Sequence, residues 1–132
     1  MIRPVAEYCS GVYFSMITMR DSDELERIQA QALKIIFGYN YSYNELLVKS
    51  GLLKLSDRRD AAFTKLTLKL SNDARFKHWF PKRAVRHNCP RPGAEVYKLY
   101  GASTVRYQCS PLNTMRRRLN DFERLRVTNM PA

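Results

Sequence analysis

Carboxylates are scarce in the C-terminal part of this sequence. Beyond residue 50 there are six Asp/Glu against eighteen Lys/Arg. No two aspartates are adjacent. Cysteine is equally thin: Cys9, Cys89 and Cys109 are an odd number without C-x-x-C spacing, which excludes a disulfide framework and a structural zinc site. His87 and Cys89 could supply two ligands, but the other two are missing at any usual spacing, so no metal and no cofactor are expected. G-x-G-x-x-G, G-K-[ST] and G-x-S-x-G are all absent, which removes phosphate loops and the common hydrolase elbow. No apolar run is long enough to span a bilayer. Tyr8 to Met19 imitates a signal-peptide core, yet Glu7 and Ser10 interrupt it and no small-residue cleavage site follows. A reduced intracellular protein of nucleus or cytoplasm, not secreted and not membrane-bound, is the expectation.

What is present is enough apolar matter for a core and a lopsided charge. Hydrophobic residues make up 45% of the 132-residue chain, which suits one compact domain. Residues 1–50 carry five Lys/Arg against six Asp/Glu, so nearly all of the net charge of +11 belongs to the remainder. Such asymmetry points the C-terminal part toward a polyanion, RNA or DNA before an anionic membrane.

The periodicity predicts an all-α fold: an antiparallel helix pair plus two further helices, then an irregular basic tail with a short C-terminal helix. Val5, Tyr8, Cys9, Val12, Met16 and Met19 recur at three and four, predicting a first helix from Pro4 to Ile17 with Gly11 as its weak point. Asp21 and Glu24 read as the capping box of a second helix ending at Gly38, with Leu25, Ile28, Ala32, Ile35 and Ile36 as its buried face. Gln29, inside that face, is expected to hydrogen-bond across to a neighbouring helix. Ser42 and Glu45 cap a short helix through Val48 that Gly51 stops. Ser56 is expected to cap a longer one burying Ala62, Phe63, Leu66 and Leu70, with Asn72-Asp73 ending it and residues 1–72 forming one helical unit.

Beyond Asp73 the period fails, and Pro81, Pro90, Pro92 and Gly93 cut the chain into short pieces. From Arg75 to Arg118 there are eleven Lys/Arg and one acid, Glu95, interleaved with Phe76, Trp79, Phe80, Tyr97, Tyr100 and Tyr107. That combination suits single-stranded nucleic acid; it equally suits aromatics packed onto the helical unit with solvated charges around them. The candidate contacts are Arg58, Arg59, Trp79, Lys82, Arg83, Arg86, Arg106, Arg116, Arg117 and Arg118. A last helix is expected from about Asn113 to Leu125, with Met115, Leu119 and Phe122 as its apolar face.

Three stretches resemble the segment that follows the polymerase palm in reverse transcriptases of non-LTR, LINE-type retrotransposons. They are Ile2-Arg-Pro-Val-Ala-Glu-Tyr8-Cys-Ser, then Leu25-Glu-Arg-Ile-Gln-Ala-Gln-Ala-Leu-Lys-Ile-Ile-Phe-Gly38, then Gly51-Leu-Leu-Lys-Leu-Ser-Asp-Arg-Arg59. The family's order is an R-P-x-x-E-Y-x-S helix, an E-R-x-Q-x-x-A-L helix ending in glycine, a short helix, and G-L-x-x-L-x-x-R-R. Arg106 to Asn120 is similar to the family's closing serine-to-asparagine stretch, with Leu119 where an aromatic usually stands. The resemblance implies a thumb-like helical unit over residues 1–72 and a basic tail over 73–132. It also implies that the parent's RNA-directed DNA polymerase activity lies on an upstream palm that this chain does not include. The chain then reads as a non-catalytic C-terminal piece that supports nucleic-acid binding, with apolar surface left open to self-association. A free-standing basic RNA- or DNA-binding module and a helical protein-interaction domain are the alternatives.

Overall fold

The computed structural model describes residues 9–82, 95–101 and 103–128, for the last two of which only the backbone is considered. Among them it is helical, with no strand and a single isolated antiparallel bridge between Lys82 and Tyr97. The helices are α1 (Ser10–Tyr13), α2 (Met19–Phe37), α3 (Tyr43–Ser50), α4 (Leu55–Asn72), a 3-10 helix (Ala74–Trp79), α5 (Val105–Gln108) and α6 (Pro111–Thr128). The chain divides into two compact units, Met1–Phe63 and Thr64–Ala132, and the division falls inside α4. No described helix is long and apolar enough to cross a membrane.

In the first unit the expected helix from Pro4 to Ile17 is reduced, within the described residues, to the single turn α1. Residues 4–8 lie outside them. Cys9 precedes that turn in the left-handed region, with φ 54°. Val12, Tyr13 and Phe14 are weak helix formers beside Gly11, so nothing local extends the turn. Among the described residues, α3 packs on α2. Phe14 stacks on Phe63, with ring centroids 5.0 Å apart.

Helix α2 starts earlier than Asp21. Thr18 is the N-cap: its Oγ1 accepts from the Asp21 amide at 3.2 Å and donates to Asp21 Oδ2 at 2.7 Å. The buried face also differs from expectation. Leu33 joins Leu46 and Leu47 of α3 in the core, with Tyr43 and Leu52 packed against them. Ile35 and Ile36 are 72% and 71% exposed, and Ile28 is exposed too. The face that turns inward is the one bearing Glu26, Gln29 and Leu33, because those two polar side chains tie down neighbouring backbone.

Glu26 Oε2 accepts from the Tyr43 hydroxyl at 2.5 Å, and Oε1 accepts from the Ser56 amide at 2.7 Å. Ser56 is thus not the cap of α4. The helix begins at Leu55, and a carboxylate from another helix satisfies one of its free amides. Gln29 Nε2 donates to Tyr43 Oη at 3.3 Å and to Leu53 O at 3.2 Å, the cross-helix role expected of it, from a half-buried position. Burial alone would raise the Glu26 pKa. The bonds from Tyr43 and from the amides of Ser56 and Leu55 outweigh it and hold the carboxyl below its ordinary value. The same pair raises the Tyr43 hydroxyl strongly, first through burial and then through its bond to the carboxylate.

Helix α3 starts as its sequence predicts, with the Ser42 amide donating to Glu45 Oε2 at 2.8 Å, and ends on Gly51 at φ 64°. The Leu52 amide then reaches back to Leu47 O at 3.1 Å, closing the helix in the glycine-dependent way. Gly38 has a φ of 97° outside the left-handed helical well, so it ends α2 by another route to the one expected. Along α4 the buried residues are Leu55, Arg59, Phe63 and Thr67, with Leu66 and Leu70 half-buried and Ala62 exposed.

A depressed folded-state carboxyl contributes stability that is complete above its unfolded value, about 4.3, and disappears as pH falls through the folded value. The first unit should therefore lose a Glu26-dependent increment of stability below about pH 4. Urea midpoints measured for Glu26→Gln and wild type should differ at pH 7 and converge toward pH 3. A constant difference across that range would contradict the assignment.

Candidate nucleic-acid interface

The second unit is built on α6, which runs from Pro111 to Thr128 and so exceeds the short helix expected over 113–125. Pro111 suits the first helical position because its missing N–H would have no partner there. Met115 and Leu119 are buried and Phe122 half-buried, as the apolar spacing predicts. Between them, and equally buried, lie Asn113, Arg116 and Asn120. Their spacing of three and four puts them on one face, where they hold an extended segment by its main chain. Asn120 Oδ1 accepts from the Tyr97 amide at 2.7 Å while its Nδ2 donates to Tyr97 O at 3.2 Å. Asn113 does the same for Tyr100, at 3.3 and 3.4 Å, and also donates to Tyr107 O at 3.1 Å.

Arg116 sits between the two asparagines. It is 0% exposed, and its Nε and Nη2 donate to Trp79 O, the former at 2.9 Å, while Nη1 donates to Lys98 O at 3.3 Å. The guanidinium also lies 4.0 Å from the centre of the Tyr100 ring. Carbonyl dipoles and a π face thus take the place of water around a buried charge. The Trp79 carbonyl and the main chain of Tyr97, Lys98 and Tyr100, in a stretch expected to be irregular, are in this way held by one helix.

The proposed contact residues separate accordingly. Arg116 is withdrawn from solvent and cannot meet a phosphate, because its donors are consumed by the backbone. Arg59 is likewise buried, at 2% exposure, with Nη2 donating to Ser22 Oγ at 2.7 Å. Arg58 is half-buried and already engaged within the protein. Arg118 is half-buried, with Nη1 on Thr64 Oγ1 at 2.8 Å. Lys82, Arg106 and Arg117 are exposed. Trp79 is 39% exposed, its ring tilted against Phe76 at 4.9 Å and edge-on to His78 at 6.0 Å. Arg83, Arg86, His87 and Cys89 lie outside the described residues, while Cys9 and Cys109 are free thiols.

Several exposed cations fell outside the proposed set: Lys65, Lys69, Lys77, Lys98, Arg124 and Arg126. Arg75 is spent locally, its Nη2 2.7 Å from Asp73 Oδ2, a contact that holds the Asp73 carboxyl below its ordinary value. Asn113 and Asn120 were also missed, and the only available signal was an asparagine pair framing Arg116 on an otherwise apolar helix face. Among the described residues, no three His, Cys, Asp or Glu side chains gather as metal ligands. Compared with protein-family models, curated proteins and solved structures, the chain matches none.

Removing the Arg116 guanidinium leaves Trp79 O and Lys98 O without their donors inside the unit. Arg116→Met should therefore cost about 3 kcal/mol or more, whereas Arg117→Ala should stay within about 0.5 kcal/mol of wild type. Chemical denaturation monitored through Trp79 fluorescence measures both; equal costs would contradict the division between structural and exposed arginines.

Proposed function

We propose that this chain is a non-catalytic nucleic-acid-holding segment similar to the region after the palm of a LINE-type reverse transcriptase. The polymerase chemistry would belong to a palm domain elsewhere. The observation that carries the nucleic-acid part is the surface charge of the second unit. Once its buried and paired cations are set aside, Lys65, Lys69, Lys77, Lys82, Lys98, Arg106 and Arg117 remain exposed. Against them the described residues of that unit hold only Asp73, Glu95, Asp121 and Glu123 as acids. A surface so biased attracts phosphates and gains affinity from the counterions they release. The reverse-transcriptase part rests on the sequence resemblance, and the all-helical fold agrees with it.

Exposed apolar side chains on α2, above all Ile35 and Ile36, favour a second reading in which that helix docks on another protein. Salt separates the two, since phosphate binding weakens with added salt while apolar burial does not.

Titrating a labelled single-stranded RNA against the protein at several salt concentrations should give a steep log–log decline. Replacing Lys82, Arg106 and Arg117 together with alanine should flatten that slope by about 2 while leaving the unfolding midpoint unchanged. Binding that is absent in dilute buffer would remove the nucleic-acid reading, and a slope the triple variant does not alter would remove Lys82, Arg106 and Arg117 from it.

A further inference from the structure

The two buried arginines differ in one respect that their burial conceals. Arg116 has acceptors for Nε, Nη1 and Nη2. Arg59, almost as deeply enclosed, makes one bond through Nη2, and its Nε and Nη1 donate to nothing. Each edge of its planar fork thus keeps an N–H without an acceptor. Among the described residues, no carboxylate pairs with it. A buried cation without counter-charge is strongly unfavourable, and a guanidinium cannot escape by releasing its proton.

The surroundings of Arg59 share this want of an anion. Its one partner, Ser22, lies in the first turns of the 19-residue helix α2, where the peptide dipoles favour negative charge. The Ser15 hydroxyl, on the turn between the Phe14–Phe63 stack and that helix, is also buried without a partner. The acids nearby are otherwise occupied or solvent-facing. Asp21 is tied to Thr18, Glu24 lies 3.4 Å from Arg20, and Asp23 is exposed. Asp60, beside Arg59 in sequence, has an interaction of its own.

We infer that Arg59, with Ser15 and Ser22 at the N-terminal end of α2, is a binding site for a single phosphate group. Residues 15–17, between the Phe14–Phe63 stack and the Thr18 cap of α2, belong to no regular element, so a phosphate gains entry by a local shift of that short turn, with the stack, the cap and the helices left in place. On the nucleic-acid reading, which this inference deepens, the group is one phosphodiester of the bound strand. Free inorganic phosphate carries the same chemistry and serves as the probe that does not depend on that reading.

The direct test follows the Arg59 Nε–H resonance in nitrogen-proton spectra of the full chain, assigned by its disappearance in Arg59→Lys. Inorganic phosphate at constant ionic strength should move it saturably, and chloride should not; no movement would overturn the site. Phosphate should also raise the thermal midpoint of wild type more than that of Arg59→Met, whereas equal rises would show only general exclusion of the salt from the surface. With single-stranded RNA, Arg59→Met should bind about tenfold more weakly and lower the salt slope by about 0.7. RNA bound with unchanged affinity and slope, together with an unmoved resonance, would sink the Arg59 site and leave the wider nucleic-acid reading standing. No RNA binding with a phosphate-responsive resonance would do the reverse.

Discussion

Side-chain amides and a guanidinium that grip main chain are what the second unit depends on. Asn113, Arg116 and Asn120 occupy one face of α6 and give the backbone of residues 97–100, and the carbonyl of Trp79, the partners a neighbouring strand would otherwise supply. A segment without a sheet to join has buried amides and carbonyls that must be satisfied some other way. Side chains from a rigid helix do this at fixed positions, and the aromatic residues of the segment then pack without exposing unpaired polar groups. Net hydrogen-bond energies are modest, but leaving such groups buried and unmade is costly, so loss of one tie threatens all of the segment.

The first unit applies the same solution with opposite charge. Glu26 and Gln29 reach from α2 to the start of α3, to the chain before α4 and to the first amide groups of α4 itself. Three elements are thereby registered on one helix by two polar residues, with Leu33, Leu46 and Leu47 packed beside them. The consequence is a rotated α2: the polar face that makes these bonds turns inward, and Ile35 and Ile36 are left facing out.

That rotation explains what could and could not be read in the sequence. Capping chemistry is local, so Ser42, Glu45 and Gly51 declared α3 without tertiary help. Apolar spacing likewise found Met115 and Leu119, and Phe63 on α4. It failed on α2 because hydrophobic period assigns the inward face to isoleucine, while Glu26 carries bonds that no period records. The basic triplet Arg116-Arg-Arg118 misled for the same reason. Three adjacent arginines read as one patch, yet successive helix positions point in different directions, and of the three only Arg117 is exposed. Thr18 was hidden by the stronger acidic signal of Asp21, which serves as the cap's partner and not as the cap. The α1 region shows the opposite failure: among the described residues, an apolar three-and-four spacing around Gly11 and weak helix formers gave only the turn Ser10–Tyr13.

For function, this sorting matters more than the total charge. Arginines that bind main chain hold the scaffold, and the exposed lysines and arginines around them are the ones free to meet a polyanion. Amide hydrogen exchange of Tyr97 and Tyr100 tests the scaffold half of that statement most directly. Both lie outside any helix, so their protection depends on Asn120 and Asn113. The account requires both amides to exchange as slowly as those in the middle of α6. Exchange at the rate of an unstructured loop would contradict it.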